Sequence, residues 1–166
     1  ARHFSGRSLV MSDRNRTLWA GFAIRGPEHN AYYSGDSGMF PGFAEIGERL
    51  GPFDVALIEV GAYNQLWADL HLGPEQAAQA ARQVRAELLI PVHWGTFDLA
   101  LHSWTEPAER LLATTARGLL PVAIPQPGQG VEPFSPPDVA RWWPEIPWQT
   151  AEQHPVVSSK LASAAP

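Results

Sequence analysis

Asp54-Val55-Ala56-Leu57-Ile58-Glu59-Val60 sets the architecture expected of the chain. Such a near-continuous apolar run is expected of a strand covered on both faces, as in a parallel sheet packed between layers. Residues 88–92 form the next run of the same kind. Between the two, Pro74 opens a helix: proline suits the first helical position, Glu75 favours the first-turn dipole, and Ala77, Ala78, Ala81 and Val84 keep helical spacing. Upstream, residues 17–24 and 30–34 read as strands paired in a hairpin across residues 26–29. Residues 43–50 then read as a helix with Phe43, Ile46 and Leu50 on one face. Downstream, a helix is expected over about 106–117 with Gly118 as its stop, then a strand over 119–124. The order β-β-α-β-α-β-α-β is that of an α/β layered protein. Residues 1–125 make up this body. Residues 126–148 are rich in Pro and Trp, and Trp142, Trp143 and Trp148 are expected to pin them to it. Residues 149–166 have few side chains able to bury themselves and read as a poorly ordered tail.

Composition narrows the chemistry. The 166 residues carry a formal net charge of −5, and Lys160 is the only lysine, which argues against a nucleic-acid partner. There is no cysteine, so thiolate metal sites and disulfides are excluded and His, Asp and Glu remain as ligands. No apolar run approaches the ~20 residues needed to span a bilayer. The opening Ala1-Arg2-His3 does not read as a signal peptide, and a cytoplasmic location is the expectation.

Polar residues stand where strands end. Asp36 sits inside Gly35-Asp36-Ser37-Gly38, and His93 follows Leu89-Ile90-Pro91-Val92. Ligand sites of α/β proteins gather at such strand ends. His3 lies near the start of the chain, and His71 precedes the helix at Pro74. Taken singly, an Asp in a glycine-rich turn reads as turn chemistry, and a lone His as an ordinary hydrogen-bonded residue. Their spacing forms no local metal motif, so any convergence has to come from the fold.

A set of motifs in one order changes the reading. Arg2-His3-Phe4-Ser5-Gly6-Arg7 and Asp13-Arg14-Asn15 with Leu18-Trp19 come first, then Ser34-Gly35-Asp36-Ser37-Gly38. Glu45-Ile46-Gly47, Gly51-Pro52-Phe53-Asp54 and Gly61-Ala62-Tyr63 follow. His71-Leu72-Gly73-Pro74-Glu75-Gln76-Ala77 and Pro91-Val92-His93-Trp94-Gly95-Thr96-Phe97 complete the series. Over roughly residues 2–125 the chain resembles the metallo-β-lactamase-fold hydrolases related to N-acylphosphatidylethanolamine phospholipase D and the ascorbate-phosphate lactonases.

The resemblance implies the carboxy-terminal half of an α/β/β/α sandwich with two zinc ions at one edge of its sheets. On that basis His3 would be a ligand of the first metal, Asp36 the bridge between both, and His93 a ligand of the second. His71 would be the catalytic residue beside them, positioning substrate or moving a proton. The family's other ligands lie in a His-x-His-x-Asp-His motif on an amino-terminal half, and no such motif occurs here. That half would be the partner of this one, and the chain by itself is expected to be inactive. Two departures stand out. Ser37 occupies a position where relatives carry Thr, and Asn64-Gln65-Leu66-Trp67 stands where phospholipase-like members have Pro-Arg-Trp. The implied activity of the complete protein is zinc-dependent hydrolysis of a phosphodiester or other ester in a small-molecule or lipid-like substrate. The metal would bring the pKa of a water toward ~7. A lactonase is the alternative enzyme, and a non-catalytic fragment or binding module retaining the fold is the alternative outside enzymes.

Overall fold

The computed structural model describes residues 1, 3, 10, 12–116, 118 and 120–158. Two short strands open it, β1 (Phe22–Arg25) and β2 (Asn30–Tyr33), followed by helix α1 (Gly42–Leu50) and strand β3 (Val55–Glu59). A single 3₁₀ turn (Gln65–Trp67), helix α2 (Pro74–Gln83), strand β4 (Leu89–Val92) and helix α3 (Glu106–Thr115) complete the order. The strands form one sheet, β1-β2-β3-β4. The β1–β2 hairpin is antiparallel, and β2–β3 and β3–β4 are parallel, as the intervening helices require.

Register divides the sheet into two faces. Tyr32, Ala56, Ile58 and Val60 pack with Phe43 of α1, the alanines of α2 and Leu111 of α3 into the main core. The opposite face is built of cross-strand rows: Phe22 opposes Tyr33, Tyr33 opposes Leu57, and Leu57 opposes Ile90. Val55, Leu88 and Ala123 are buried on this side, but Phe22 and Ile24 are 56% and 57% exposed.

Two strands are shorter than their sequence suggests. Strand geometry begins at Phe22 rather than Thr17. The preceding Trp19 instead stacks its ring on His3, centroids 4.6 Å apart. The strand expected over 119–124 is reduced to a bridge between Leu89 and Val122. Leu89 N–H donates to Pro121 O and Ala123 N–H to Leu89 O, but Pro121 has no N–H to extend the ladder. Leu119 and Arg117 lie outside the described residues.

The carboxy-terminal segment is bound to the body more tightly than its composition suggests. Trp142 and Trp143 pack with Trp94, all three ring centroids 5.4–5.5 Å apart. Trp142 donates its indole N–H to Ile124 O, and Trp143 donates to Glu109 Oε1. Residues 149–158, expected to be poorly ordered, are tied down as well. Gln149 N–H donates to Glu106 Oε2, Arg110 Nη1 to His154 O, Val157 N–H to Gln65 Oε1, and Ser158 Oγ to Asp69 Oδ1. The partners lie elsewhere in the chain, so the local composition could not foretell them. Residues 159–166 lie outside the described residues.

Candidate metal centre

The parallel strands deliver their carboxyl ends to one edge of the sheet, and polar side chains collect there. Asp36 follows β2 through Gly35, whose φ of 58° is a left-handed conformation that glycine adopts without strain. Gly38, on the far side of the turn, serves a different need. A Cβ there would meet Asp69 O at 1.9 Å, so only glycine lets this turn touch the loop carrying His71. Glu59 is the last residue of β3. His93 follows β4 with φ 63°, a conformation a non-glycine residue holds only when its surroundings enforce it. The enforcement is visible: Trp94 is wedged against Trp142 and Trp143, and Gly61 leaves room for the His93 carbonyl.

His3, Asp36, His71 and His93 line one cavity of about 480 Å³, with Ala62, Trp67, Leu70 and Leu99 as the remaining wall. His93 Nε2 lies 3.4 Å from Asp36 Oδ1, and His3 Nε2 lies 3.4 Å from His71 Nε2. The rings of His71 and His93 are 5.3 Å apart. The structure thus brings all four residues singled out in the sequence to a common point. The other histidines lie elsewhere: His29 is beside Asp54, at the opposite end of β3, and His102 and His154 flank Tyr63. A larger cavity, about 930 Å³, opens between Glu109, Arg141 and residues 143–148. His3, Asp36, His71 and His93 are all in the smaller one, which we take as the candidate site.

Charge in the cavity is organised around the Asp36–His93 pair. The bond to His93 holds the Asp36 carboxyl below its usual range, against the opposing effect of burial. The Asp36 carboxylate in turn raises His93 to about 9. Metal-free, the pair is an imidazolium and a carboxylate at neutral pH.

Glu59 is the residue that sequence reasoning missed. It is fully buried. Its Oε1 accepts the backbone N–H groups of Ser37 (2.6 Å) and Leu72 (3.1 Å), and its Oε2 lies 2.8 Å from His71 Nδ1. Burial pushes its carboxyl up, and the contact with His71 opposes that. Glu59, His71 and His93 place donor atoms within 4.8 Å of one another, a spacing compatible with a metal ion. Both Glu59 oxygens are already engaged, however, so the carboxylate supports His71 rather than competing for an ion. The signal was available: an acid at the end of a buried strand, inside an apolar run, has to be paired.

Residues 1–94 match the family model described as the β-lactamase superfamily domain, more than half of the chain. The chain belongs to that superfamily. Its fold is accordingly the α/β arrangement of the metallo-β-lactamase proteins, with β1–β4 and α1–α3 as the portion present. Among relatives, an uncharacterized protein of Mycobacterium tuberculosis is 50% identical over 146 residues, which is 86% of this chain and 38% of that protein. The N-acyl-phosphatidylethanolamine-hydrolyzing phospholipase D 1 of Caenorhabditis elegans is 39% identical over 115 residues, 67% of this chain and 32% of that one. A protein of Listeria monocytogenes named as a metal-dependent hydrolase is 31% identical over 131 residues, 78% of this chain and 52% of that one. This superfamily chain therefore spans well under two thirds of each of these relatives.

Proposed function

We propose that the chain is the carboxy-terminal half of a metal-dependent hydrolase that cleaves an ester bond, phosphodiester or other, in a small-molecule or lipid-like substrate. The observation that carries this reading is the convergence of His3, Asp36, His71 and His93 on one cavity at the carboxyl ends of the strands. The donor set fits a zinc pair: imidazole nitrogens and a carboxylate, without thiolates, in a cavity open enough to admit substrate. His3 and Asp36 would hold one ion, Asp36 and His93 the other. Two ligands for each ion fall short of the usual three or four, so the rest would come from chain outside these 166 residues. When bound, the metal supplies an acidified water and polarises the scissile ester.

The chain's own residues do the rest. Asp36, kept ionised, offers a carboxylate between the two histidines. To serve as a ligand, His93 would have to give up its proton. His71 stands beside them with Nε2 turned into the cavity, where it can hold substrate or carry a proton. A lactone remains the alternative substrate. Among the described residues the cavity wall carries no Arg or Lys to meet a phosphate.

The test is a parallel assay of a phosphodiester and a lactone, on the full-length protein and on residues 1–166 alone. Metal-dependent hydrolysis by the full-length protein, with none by the short chain, is expected. Hydrolysis that survives chelation of the metal, or no hydrolysis by the metal-loaded full-length protein, would contradict the reading.

A further inference from the structure

We infer that Glu59 is a positioning residue that fixes His71 as the Nδ1–H tautomer, leaving the Nε2 lone pair facing the cavity. Backbone N–H groups only donate, and two of them, from Ser37 and Leu72, converge on Glu59 Oε1. The carboxyl plane is thereby set, and Oε2 has a single direction left to face. There it meets His71 Nδ1 at 2.8 Å. The three hydrogen bonds to the carboxyl favour its ionised form against the effect of burial, and a carboxylate accepts and does not donate, so the proton between them is assigned to Nδ1. In a neutral ring, Nε2 then carries no proton.

The rest of the structure holds this arrangement rigid. The N–H of Glu59 itself donates to Ser34 Oγ, and the side chain is fully buried. Through its two backbone acceptor bonds, Glu59 links the turn of Asp36 to the loop of His71, so both site segments are referred to one carboxylate. His71 Nε2 in turn points toward His3, 3.4 Å away. A histidine whose second nitrogen is held by a carboxylate has its ring orientation and basicity set by that partner. Resting on the hydrolase reading for its use, Nε2 accepts the proton of the attacking water and returns it to the departing oxygen. The ester bond breaks, acid and alcohol leave, and the charged Glu59 steadies the transient imidazolium.

Glu59→Gln separates positioning from mere scaffolding. The two backbone N–H groups demand an acceptor at the Oε1 position, so the amide oxygen takes it and the amide NH2 faces His71. Nδ1 must then accept, and the proton moves to Nε2. The experiment uses the zinc-loaded full-length protein with 15N-labelled histidine, His71 being assigned by its loss in His71→Gln. The ring nitrogens are read by NMR, and kcat and KM with bis-p-nitrophenyl phosphate. The wild-type protein is expected to show a proton-bearing Nδ1 and a lone-pair Nε2. The variant is expected to show the reverse, with kcat lowered ~10–100-fold and KM little changed. A wild-type Nε2–H tautomer overturns the inference without any variant, since Glu59 would then carry the proton. So does a variant with an unaltered tautomer and full kcat. Absent hydrolysis with the wild-type tautomer as expected would sink the hydrolase reading and leave the placement of the proton by Glu59 standing.

Discussion

Replacing Arg110 by methionine removes a guanidinium from the interior while keeping much of its aliphatic volume. Arg110 is 1% exposed. Its Nε and Nη2 bind the two oxygens of Glu75 at 3.0 and 2.7 Å, Nη1 reaches Glu106 Oε1 at 3.3 Å and His154 O at 3.0 Å, and its centre lies 5.1 Å from the Tyr63 ring. Removing one member of a buried ion pair costs about 3–5 kcal/mol, because the other charge is left uncompensated. Here the two carboxylates differ. Glu75 reaches solvent and rehydrates, whereas Glu106 is buried and keeps two hydrogen-bond donors, the Tyr63 hydroxyl (2.7 Å) and Gln149 N–H (3.0 Å), with His154 Nδ1 3.8 Å away. One stranded carboxylate with two donors remaining places the loss near the lower end, about 3 kcal/mol. That is a large share of the 5–15 kcal/mol that holds a typical domain. The assay is urea unfolding of the full-length protein, with the midpoint shift converted through an unchanged slope. Adding Glu106→Gln removes the stranded charge, so the double variant is expected to recover about 1 kcal/mol or more. A loss below about 1 kcal/mol for Arg110→Met, or simple additivity in the double variant, would refute the reasoning.

The Asp36–His93 pair predicts a pH dependence. Because His93 is raised to about 9 and must be neutral to bind a metal, zinc binding at pH 7 should release a proton. Apparent affinity should then rise about tenfold per pH unit up to about 9; calorimetry in buffers of different ionisation enthalpy counts the proton, and none released would be the contrary result. In the metal-free protein the raised His93 contributes stability that is complete below its ordinary value and lost as pH rises through about 9. The lowered Asp36 contributes stability present above its ordinary value and lost as pH falls through the depressed one. The metal-free melting temperature should therefore fall from pH 7 to pH 10, and a flat profile would count against the pair. The half-open sheet face bearing Phe22 and Ile24 should make residues 1–166 self-associate, and Phe22→Ser with Ile24→Thr should reduce this; sedimentation as a stable monomer before substitution would oppose it.

What the sequence disclosed followed from where physical constraints are local. β3 and β4 are legible because a strand covered on both faces admits little but apolar residues. α2 is legible because Pro74 and the alanine spacing act within one helix. Asp36 and His93 are visible as polar residues at strand ends, although 33 residues separate His3 from Asp36 and 57 separate Asp36 from His93. Their meeting is a property of parallel strand order, which short-range patterns do not carry. Glu59 was hidden for the same reason in reverse: it sits inside an apolar run, and its three partners come from segments 12 to 22 residues away. The hold on residues 149–158 depends on Glu106, Arg110, Gln65 and Asp69, distant acceptors and donors that a polar tail cannot announce.

In the proposed function, His3, Asp36 and His93 contribute to a two-metal site shared with chain outside these residues. Zinc titration by calorimetry of the metal-free full-length protein, beside its Asp36→Ala variant, addresses it most directly. Two tightly bound ions are expected for the wild-type protein. In the proposed site Asp36→Ala would remove a ligand from each ion, so its loss of affinity should exceed the ~10–100-fold typical of a missing supporting contact. No zinc bound by the wild-type protein, or two ions held as tightly without Asp36, would contradict the account.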